Sequence, residues 1–292
     1  MVSCSISGER MVSIVKSKVA KIIQTADEGD AKAQFLLSMF YSKGFLVEYD
    51  EEKWLHYLKK AAEQDLPIAC MTMGMLYEDK DFEDSDPELA RKWYEKAADL
   101  GMTEAMRSLA YLALERDEPD YDEFLKLLEK AAEKGNWYAA YDLGTSFAIG
   151  FGTDKDYARA REYLETAVQN GIGSAFYNLG VMYFNGDGVE RDYKKARKNF
   201  LKATEHGEAR GYTGLGFLSL YGLGLVVNHK KGIKLLQKAA SACDPFACVM
   251  LGKIFDEGVF TEKNSEAAEK YLMLADKYGF KFRSNHTEAT ED

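Results

Sequence analysis

Apolar residues recur along this chain at the spacing of amphipathic helices, and the whole pattern returns about every 36 residues. A small residue follows each member of the leading apolar column. A second apolar stretch then comes about 20 residues later and carries its own buried-type pair, such as Tyr163/Leu164. We therefore predict two helices, A and B, in each repeat. The leading column reads Leu37, Met73, Leu109, Leu143, Leu179, Leu215 and Leu251.

Polar residues punctuate the same repeat at fixed places. An Asp or Asn stands where helix B begins, as an N-cap would, and Asp86-Pro87 is the clearest case. A glycine stands where helix B ends, a position that favours left-handed backbone. Asp65 and Cys243 replace that glycine in two repeats, and Cys243 is the costlier replacement if its φ is positive.

These columns carry a resemblance to a known family. The string LGVMYFNGDGVERDYKKARKNFLKATEHG, residues 179–207, resembles the Sel1-like repeat, a relative of the tetratricopeptide repeat. The resemblance implies an all-α fold: a right-handed α-solenoid of about seven helix-turn-helix repeats with an N-terminal capping helix. It also implies a scaffold or adaptor that binds other proteins. The second and third repeats lack the Gly-x-Gly of the motif, so the motif does not determine the geometry of their hairpins.

The repeat phase sets the expected boundaries. We expect a flexible N-terminus over residues 1–13, a capping helix over 14–28 and the solenoid over 14–280. A disordered tail is expected over residues 281–292. The repeats are expected to start near residues 30, 66, 102, 136, 172, 208 and 244.

Charge is spread unevenly along the 292 residues, whose formal net charge is −10. Residues 1–150 hold 18 basic against 29 acidic residues, and residues 151–292 hold 20 against 19. This balance disfavours a nucleic acid or an anionic membrane as partner. An acidic tract in the second repeat is expected to lie beside the acidic residues Glu115–Glu123 of the third repeat. The tract is either a solvated edge or a docking ridge for a basic protein. That ridge comprises Glu78, Asp79, Asp81, Glu83 and Asp84.

Basic residues gather instead on the helices B of the fifth and sixth repeats, from Lys194 to Lys238. They are read as solvating charges, as a contact for an acidic partner, or as a contact for a second copy of the chain.

No set of residues suggests catalysis, a metal or a cofactor. The four cysteines form no Cys-x-x-Cys, and the four histidines fall at unrelated repeat positions. The Gly-x-Gly pairs lack the strand and the Lys-Ser/Thr of a phosphate loop. We expect a protein that is not an enzyme. Neither a secretory signal nor a membrane-spanning run is present, which favours the cytoplasm.

The wall formed by the helices A is the best candidate for binding. Positions two residues before, two after and five after the leading column should face the groove, with further residues flanking them. The aromatics of this set converge in repeats four to six. The candidate residues are Phe35, Met39, Met71, Met75, Arg107, Tyr111, Tyr138, Tyr141, Tyr177, Asn178, Val181, Phe184, Phe217, Tyr221 and Phe246.

The leading hypothesis is a non-enzymatic scaffold that holds a peptide or partner domain in this groove. An immunity-type protein that masks a basic toxin or effector is the first alternative, favoured by the acidic imbalance. A small-molecule or glycan-related enzyme is the second, and no convergent catalytic set supports it.

Overall fold

The computed structural model describes residues 8–280, with side chains from residue 15 onward. This part of the chain contains fifteen α-helices and no strand. The helices are α1 (Gly8–Asp27), α2 (Ala31–Lys43), α3 (Glu51–Glu63), α4 (Pro67–Glu78), α5 (Pro87–Asp99), α6 (Thr103–Leu114), α7 (Tyr121–Glu133), α8 (Trp137–Ile149), α9 (Tyr157–Gln169), α10 (Gly173–Asn185), α11 (Tyr193–Glu205), α12 (Arg210–Tyr221), α13 (His229–Ser241), α14 (Pro245–Glu257) and α15 (Ser265–Lys277).

Seven helical hairpins follow α1, and each pairs a helix A (α2, α4 and so on to α14) with the helix B that follows it. The leading apolar column is buried in every hairpin, at 6% exposure or less. The small residue after it lets helix B approach closely. A Cβ added at Gly180 would lie 2.6 Å from the Phe200 ring, and one added at Gly74 would lie 2.5 Å from the Tyr94 ring. The small residue of helix A is therefore a point of close contact with helix B.

The predicted caps at the two ends of helix B are present as well. The side chain of the Asp or Asn before each helix B accepts a hydrogen bond from a backbone N–H of the first turn. The residue that ends helix B is left-handed throughout. Asp65 and Cys243 adopt this backbone without being glycine, at φ 60° and 62°. Both sites therefore carry a conformational cost that glycine would avoid.

The chain divides into two compact units, Met1–Asn136 and Trp137–Asp292. In the first unit α1 packs on α2 and three hairpins follow; the second unit contains four hairpins. Helix α1 begins at Gly8, so residues 8–13 are helical rather than flexible as predicted. The expected tail over residues 281–292 lies outside the described residues.

Candidate partner-binding surface

The helices A of the second unit carry aromatic side chains that are only partly buried, and Tyr177 and Phe184 among them pack against the core. Leu179 and Leu215 are buried, and Tyr177, Val181 and Phe217, two positions away from them, are half-buried. Tyr138, Tyr221 and Phe246 are 56%, 50% and 53% exposed. We call this surface, formed by α8, α10, α12 and α14, the A-helix face of the second unit.

An open pocket of about 290 Å³ lies in the A-helix face of the second unit. Successive helices contribute to it: Tyr177 and Phe184 come from α10, Phe217 from α12 and Phe246 from α14. We call it the aromatic pocket, and most of its lining is apolar. The full lining is Tyr177, Val181, Phe184, Asn185, Phe200, Thr213, Gly214, Phe217, Phe246 and Met250.

The rings beside the aromatic pocket hold one another in place. Phe217 meets Phe184 edge-on at 5.5 Å between ring centroids and lies 4.6 Å from Tyr221. Tyr221 in turn meets Phe260 edge-on at 5.2 Å. Contacts of this geometry stabilise beyond the area they bury, by about 0.5–1.5 kcal/mol each. The pocket rim is therefore a continuous, ordered row of rings.

An arginine that the sequence pattern did not single out lies against Tyr177. The Arg210 guanidinium stacks 4.6 Å from the Tyr177 ring centroid and also interacts with the Tyr141 hydroxyl. It donates two hydrogen bonds of 2.9 Å to the Glu208 carboxylate, which also accepts from Ser174 Oγ at 2.5 Å. The result is a half-exposed cation held between two tyrosines.

The buried member of this cluster is Glu208, whose side chain is 14% exposed. Burial alone would raise the pKa of Glu208. The hydrogen bonds from Arg210 and Ser174 outweigh it and lower that pKa to about 2. The same ion pair raises the pKa of Arg210. The cluster is thus charged on both sides at neutral pH and joins α10 to α12.

The remaining candidates of the second unit divide by role. Tyr141 lies beside the Arg210 cluster, and Val181 lines the aromatic pocket. Asn178 is half-buried, and its amide donates to Thr145 Oγ1 at 3.0 Å, so it joins α10 to α8. The structure thus brings most of these residues onto one face, and Asn178 also acts as a link between helices.

The candidates of the first unit lie on its own helices A and differ in kind. Met39 and Met75 are 48% and 56% exposed, and Phe35 and Met71 are half-buried. The remaining pair lies on α6, where the Arg107 guanidinium stacks 5.1 Å from the Tyr111 ring. This face is lined mainly by flexible thioethers, with one aromatic–cation pair.

Four of the five predicted ridge carboxylates are exposed, and Glu78 is not. Asp79, Asp81, Glu83 and Asp84 have no Lys or Arg within ion-pair distance among the described residues. The half-buried Glu78 carboxylate instead accepts a hydrogen bond from the Tyr94 hydroxyl, which ties it to the core of its hairpin.

The neighbouring acidic loop is partly neutralised. Arg91 donates to Glu123 at 3.0 Å, and Arg116 lies 3.0 Å from Glu123 and 3.5 Å from Asp120. Asp79, Asp81, Glu83 and Asp84 therefore remain available to a partner, as do the exposed Asp117 and Glu118 of the neighbouring loop.

The described residues contain neither a cluster of metal-ligating side chains nor a helix suited to span a membrane. Residues 15–280 contain no group of three or more His, Cys, Asp or Glu side chains placed to hold a metal ion. Among the described helices, none combines the length and the apolar character needed to cross a membrane.

The folded unit that repeats here is an α-helical hairpin with a Leu-small pair in helix A and a capped helix B. The Sel1 repeat model matches seven segments, residues 31–66, 67–102, 103–136, 137–172, 174–208, 209–242 and 245–275. The chain therefore belongs to the Sel1 repeat family. No protein with a curated description matches the sequence.

Solved structures with the same architecture include two Sel1-type proteins. One is c5321, a protective antigen of uropathogenic Escherichia coli, with a TM-score of 0.77 and 27% identity over 90% of this chain. The alignment spans 56% of that protein's length. The other is a Sel1 repeat protein of Oxalobacter formigenes, with a TM-score of 0.71 and 24% identity over 95% of this chain and 80% of its own.

A third similar structure is the immunity protein PA5088 of Pseudomonas aeruginosa. Its TM-score is 0.50 at 20% identity, over 73% of this chain and 81% of its own. At this identity the likeness concerns the fold alone.

Proposed function

We propose that the chain is a non-enzymatic scaffold that binds a segment of another protein on the A-helix face of its second unit. The observation that carries the proposal is the aromatic pocket, which the half-buried rings of Tyr177, Phe184 and Phe217 line together with the exposed Phe246. Apolar surface gathered around one opening is typical of an interaction site. Tyr, Phe and Arg are also the residues that most often dominate binding energy.

The pocket volume favours a side chain over a metabolite as occupant. Pockets for small molecules commonly measure about 300–1,000 Å³, and this open pocket is at the lower limit of about 290 Å³. One large apolar side chain of a partner would fill it. Tyr138, Tyr221 and Phe246 would then contact the backbone of that partner on either side.

Polar links hold this face in one arrangement before a partner arrives. Asn178 to Thr145, Ser174 to Glu208 and Thr213 to Asp244 each join a helix A, or the residues at its start, to the helix A of the next hairpin. Because the rings are already ordered, binding loses little side-chain entropy. This pre-organisation supports a specific partner.

The test uses the partner that co-purifies with the chain from its source cells, prepared separately and titrated by calorimetry. We expect Phe217→Ala and Phe246→Ala together to weaken binding at least tenfold, as hot-spot truncations do. Tyr49→Ala is the matched control, because Tyr49 is an aromatic of the first unit that is 61% exposed. Unchanged affinity with retained helicity in the double variant would contradict the assignment.

An immunity-type inhibitor that masks a basic toxin or effector is the second candidate. The exposed carboxylates at Asp79–Asp84 favour it, because like charges in one loop attract a basic partner and speed its association. We expect co-expression to rescue growth of a cell that carries the toxic protein. Replacing Asp79, Asp81, Glu83 and Asp84 by their amides should abolish that rescue, and intact rescue would count against this candidate.

A further inference from the structure

The outer surface of the second unit carries positive charge that the fold does not use. Helices α11 and α13 expose nine lysine and arginine side chains between them. Lys202 pairs with Glu205 on its own helix at 2.7 Å. Among the described residues, no carboxylate lies within ion-pair distance of Arg197, Lys198 or Lys231.

An apolar crevice of about 290 Å³ opens between these two helices. Arg197 of α11 stands on one rim and Lys231 of α13 on the other. Aliphatic side chains from α11, α12, α13 and the preceding loop form most of the lining. They are Leu201, Leu215, Leu225, Val226 and Leu235, together with the polar Ser219 and Asn228.

Part of this aliphatic lining is open to water. Val226 is 89% exposed, its neighbour Val227 is 50% exposed and Leu201 is 40% exposed. Val226 and Val227 stand in the loop before α13, directly beside the crevice. Apolar surface that remains exposed between two cationic rims is a feature of interaction sites rather than of solvated faces.

A second opening on the other side of α11 repeats the arrangement. It measures about 470 Å³, with Lys195, Lys198 and Lys202 around the rings of Phe176 and Tyr183. Lys195 lies 5.2 Å from the Tyr183 ring centroid, and His206 stacks on Phe176 at 5.1 Å. Helix α11 therefore stands between two apolar openings with basic rims.

We propose that this outer surface, which we call the basic crevice, is a second docking site and binds an acidic amphipathic helix of a partner protein. The aliphatic floor would receive leucine- or valine-sized side chains on one face of that helix. Arg197 and Lys231 would meet its flanking carboxylates. Helices α11 and α13 have 13 residues each, a length of about 20 Å, which matches four turns of a bound helix.

Two other classes of anionic partner fit the surface less well. Single-stranded nucleic acid favours rings on which bases stack, and the floor between the two helices is aliphatic. In the second opening His206 already stacks on Phe176 and Lys195 lies over Tyr183. An anionic membrane favours a protruding apolar face, and here much of the apolar lining is recessed between cationic rims. The site is distinct from the aromatic pocket, because the two linings share no residue.

The experiment measures fluorescence anisotropy with synthetic helical peptides of about 14 residues. The first peptide has leucines along one helix face and glutamates elsewhere. The second has the same composition in scrambled order, and the third has glutamines in place of the glutamates. We expect the first to bind most tightly and the others at least fivefold more weakly. Equal binding of the first two, or no binding of the first, would overturn the proposal.

Matched charge reversals locate the site. We expect Arg197→Glu with Lys231→Glu to weaken binding of the first peptide at least tenfold. The control pair Lys270→Glu with Lys277→Glu makes the same change in net charge on exposed positions of α15 and should leave binding unchanged. Equal losses in both pairs would show a non-specific attraction and overturn the assignment.

Two further measurements separate this site from its alternatives. Phe246→Ala should not alter peptide binding, since Phe246 belongs to the aromatic pocket, and a loss there would overturn the claim of a separate site. Phosphatidylserine vesicles and a single-stranded oligonucleotide serve as competing probes. If either binds more tightly than the first peptide and Arg197→Glu with Lys231→Glu abolishes that binding, the surface recognises that class instead.

Discussion

The two units of the molecule are built from the same hairpin but place most of their polar links on different helices. In the first unit most of the links between repeats join successive helices B, counting α1 as the first, and the bond from Asn136 Nδ2 to Thr103 Oγ1 is an exception. In the second unit they join successive helices A. The first set is Tyr57 to Asp27, Lys96 to Asp65 and Arg91 to Glu123; the second is Asn178 to Thr145, Ser174 to Glu208 and Thr213 to Asp244.

This difference distinguishes the residues that determine the fold of a repeat from the residues on its surface. The buried columns and caps are common to both units, so they determine the hairpin. The positions outside them differ: the first unit has 18 basic against 28 acidic residues and the second has 20 of each. Thioethers such as Met39 and Met75 give the first unit an adaptable A-helix surface, whereas linked rings give the second an ordered one.

The largest expected effect comes from the buried ring that helix B sends against helix A in each unit. Tyr94 is fully buried in the first unit, and Phe200 is 2% exposed in the second. Either ring changed to alanine should cost about 3–5 kcal/mol, because the cavity is lined by rigid backbone. Amide hydrogen exchange should show loss of protection in residues 31–136 for Tyr94→Ala and in residues 137–280 for Phe200→Ala.

Contacts between neighbouring repeats determine how local these losses are. If each ring stabilises mainly its own unit, the two variants give complementary exchange maps. Loss of protection along the whole chain in both variants would show that the two units unfold as one, and the comparison would then apply only to their surfaces.

The next effect is the response of the second unit to acid. The folded pKa of Glu208, about 2, is below its ordinary value of 4.5. The stabilisation is therefore fully present above about pH 4.5 and is lost as the pH falls toward 2. Glu208→Gln should cost about 2–3 kcal/mol at pH 7 and nearly nothing at pH 2.

Thermal unfolding at a series of pH values checks this linkage. The exposed Glu162, changed to Gln, is the matched control on α9 and should leave the profile unchanged. A loss in Glu208→Gln that stays constant from pH 7 to pH 2 would mean that shape, rather than charge, explains the role of Glu208.

Much of the fold could be predicted because the repeat tests each position seven times. The column of capping Asp and Asn residues and the left-handed backbone at Asp65 and Cys243 both follow from the repeat phase, and the structure has both. Averaging over repeats cannot predict what occurs once. The Glu208–Arg210 pair, for example, occurs in the sixth repeat alone, seven and five residues before the leading leucine.

The candidate site was predictable only in outline, because exposure depends on the neighbouring helix. Phe217 and Tyr221 were expected on the A-helix surface, but the sequence could not show that the two rings contact each other at 4.6 Å between centroids. The Glu78 carboxylate was expected in the acidic ridge. Tyr94 of the same hairpin donates its hydroxyl to the Glu78 carboxylate, which holds Glu78 against the core of the hairpin. The basic crevice could not be predicted, because its lining comes together only when α11 and α13 are placed in the fold.

That tyrosine gives a smaller, pH-dependent prediction for the first unit. Burial and the hydrogen bond to Glu78 raise the pKa of Tyr94, so the stabilisation is present below its ordinary value of 10 and is lost above it. Tyr94→Phe should cost about 1 kcal/mol at pH 7. The difference from the parent protein should shrink above pH 10, because phenylalanine cannot ionise.

Urea unfolding at pH 7 and above pH 10 measures this change. Tyr49→Phe, at an exposed tyrosine of the same unit, controls for loss of a hydroxyl and should have no effect at either pH. If the difference in free energy of unfolding between Tyr94→Phe and the parent protein does not shrink with rising pH, the protonated hydroxyl of Tyr94 does not explain the stabilisation. The corresponding ring of the second unit, Phe200, has no such group.

The smallest effect compares the two left-handed residues that are not glycine, one in each unit. Changing Cys243 to glycine removes a backbone cost of about 1–2 kcal/mol and adds about 0.5–1 kcal/mol of unfolded-state entropy. The expected result is a gain of roughly 0.5–1 kcal/mol in the free energy of unfolding. Asp65→Gly should gain less, because aspartate tolerates this backbone and its ion pair with Lys96, at 2.7 Å, is lost.

Chemical unfolding of both variants decides the comparison. The Cys243 side chain also interacts with the Tyr278 hydroxyl, and that contact opposes the gain. Cys243→Ala removes the thiol but retains the Cβ, so it measures the contact alone and should be neutral or slightly destabilising. If Cys243→Gly is no more stable than Cys243→Ala, backbone strain at the end of α13 contributes nothing. A non-glycine residue with left-handed backbone would then destabilise the second unit at Cys243 no more than Asp65 destabilises the first.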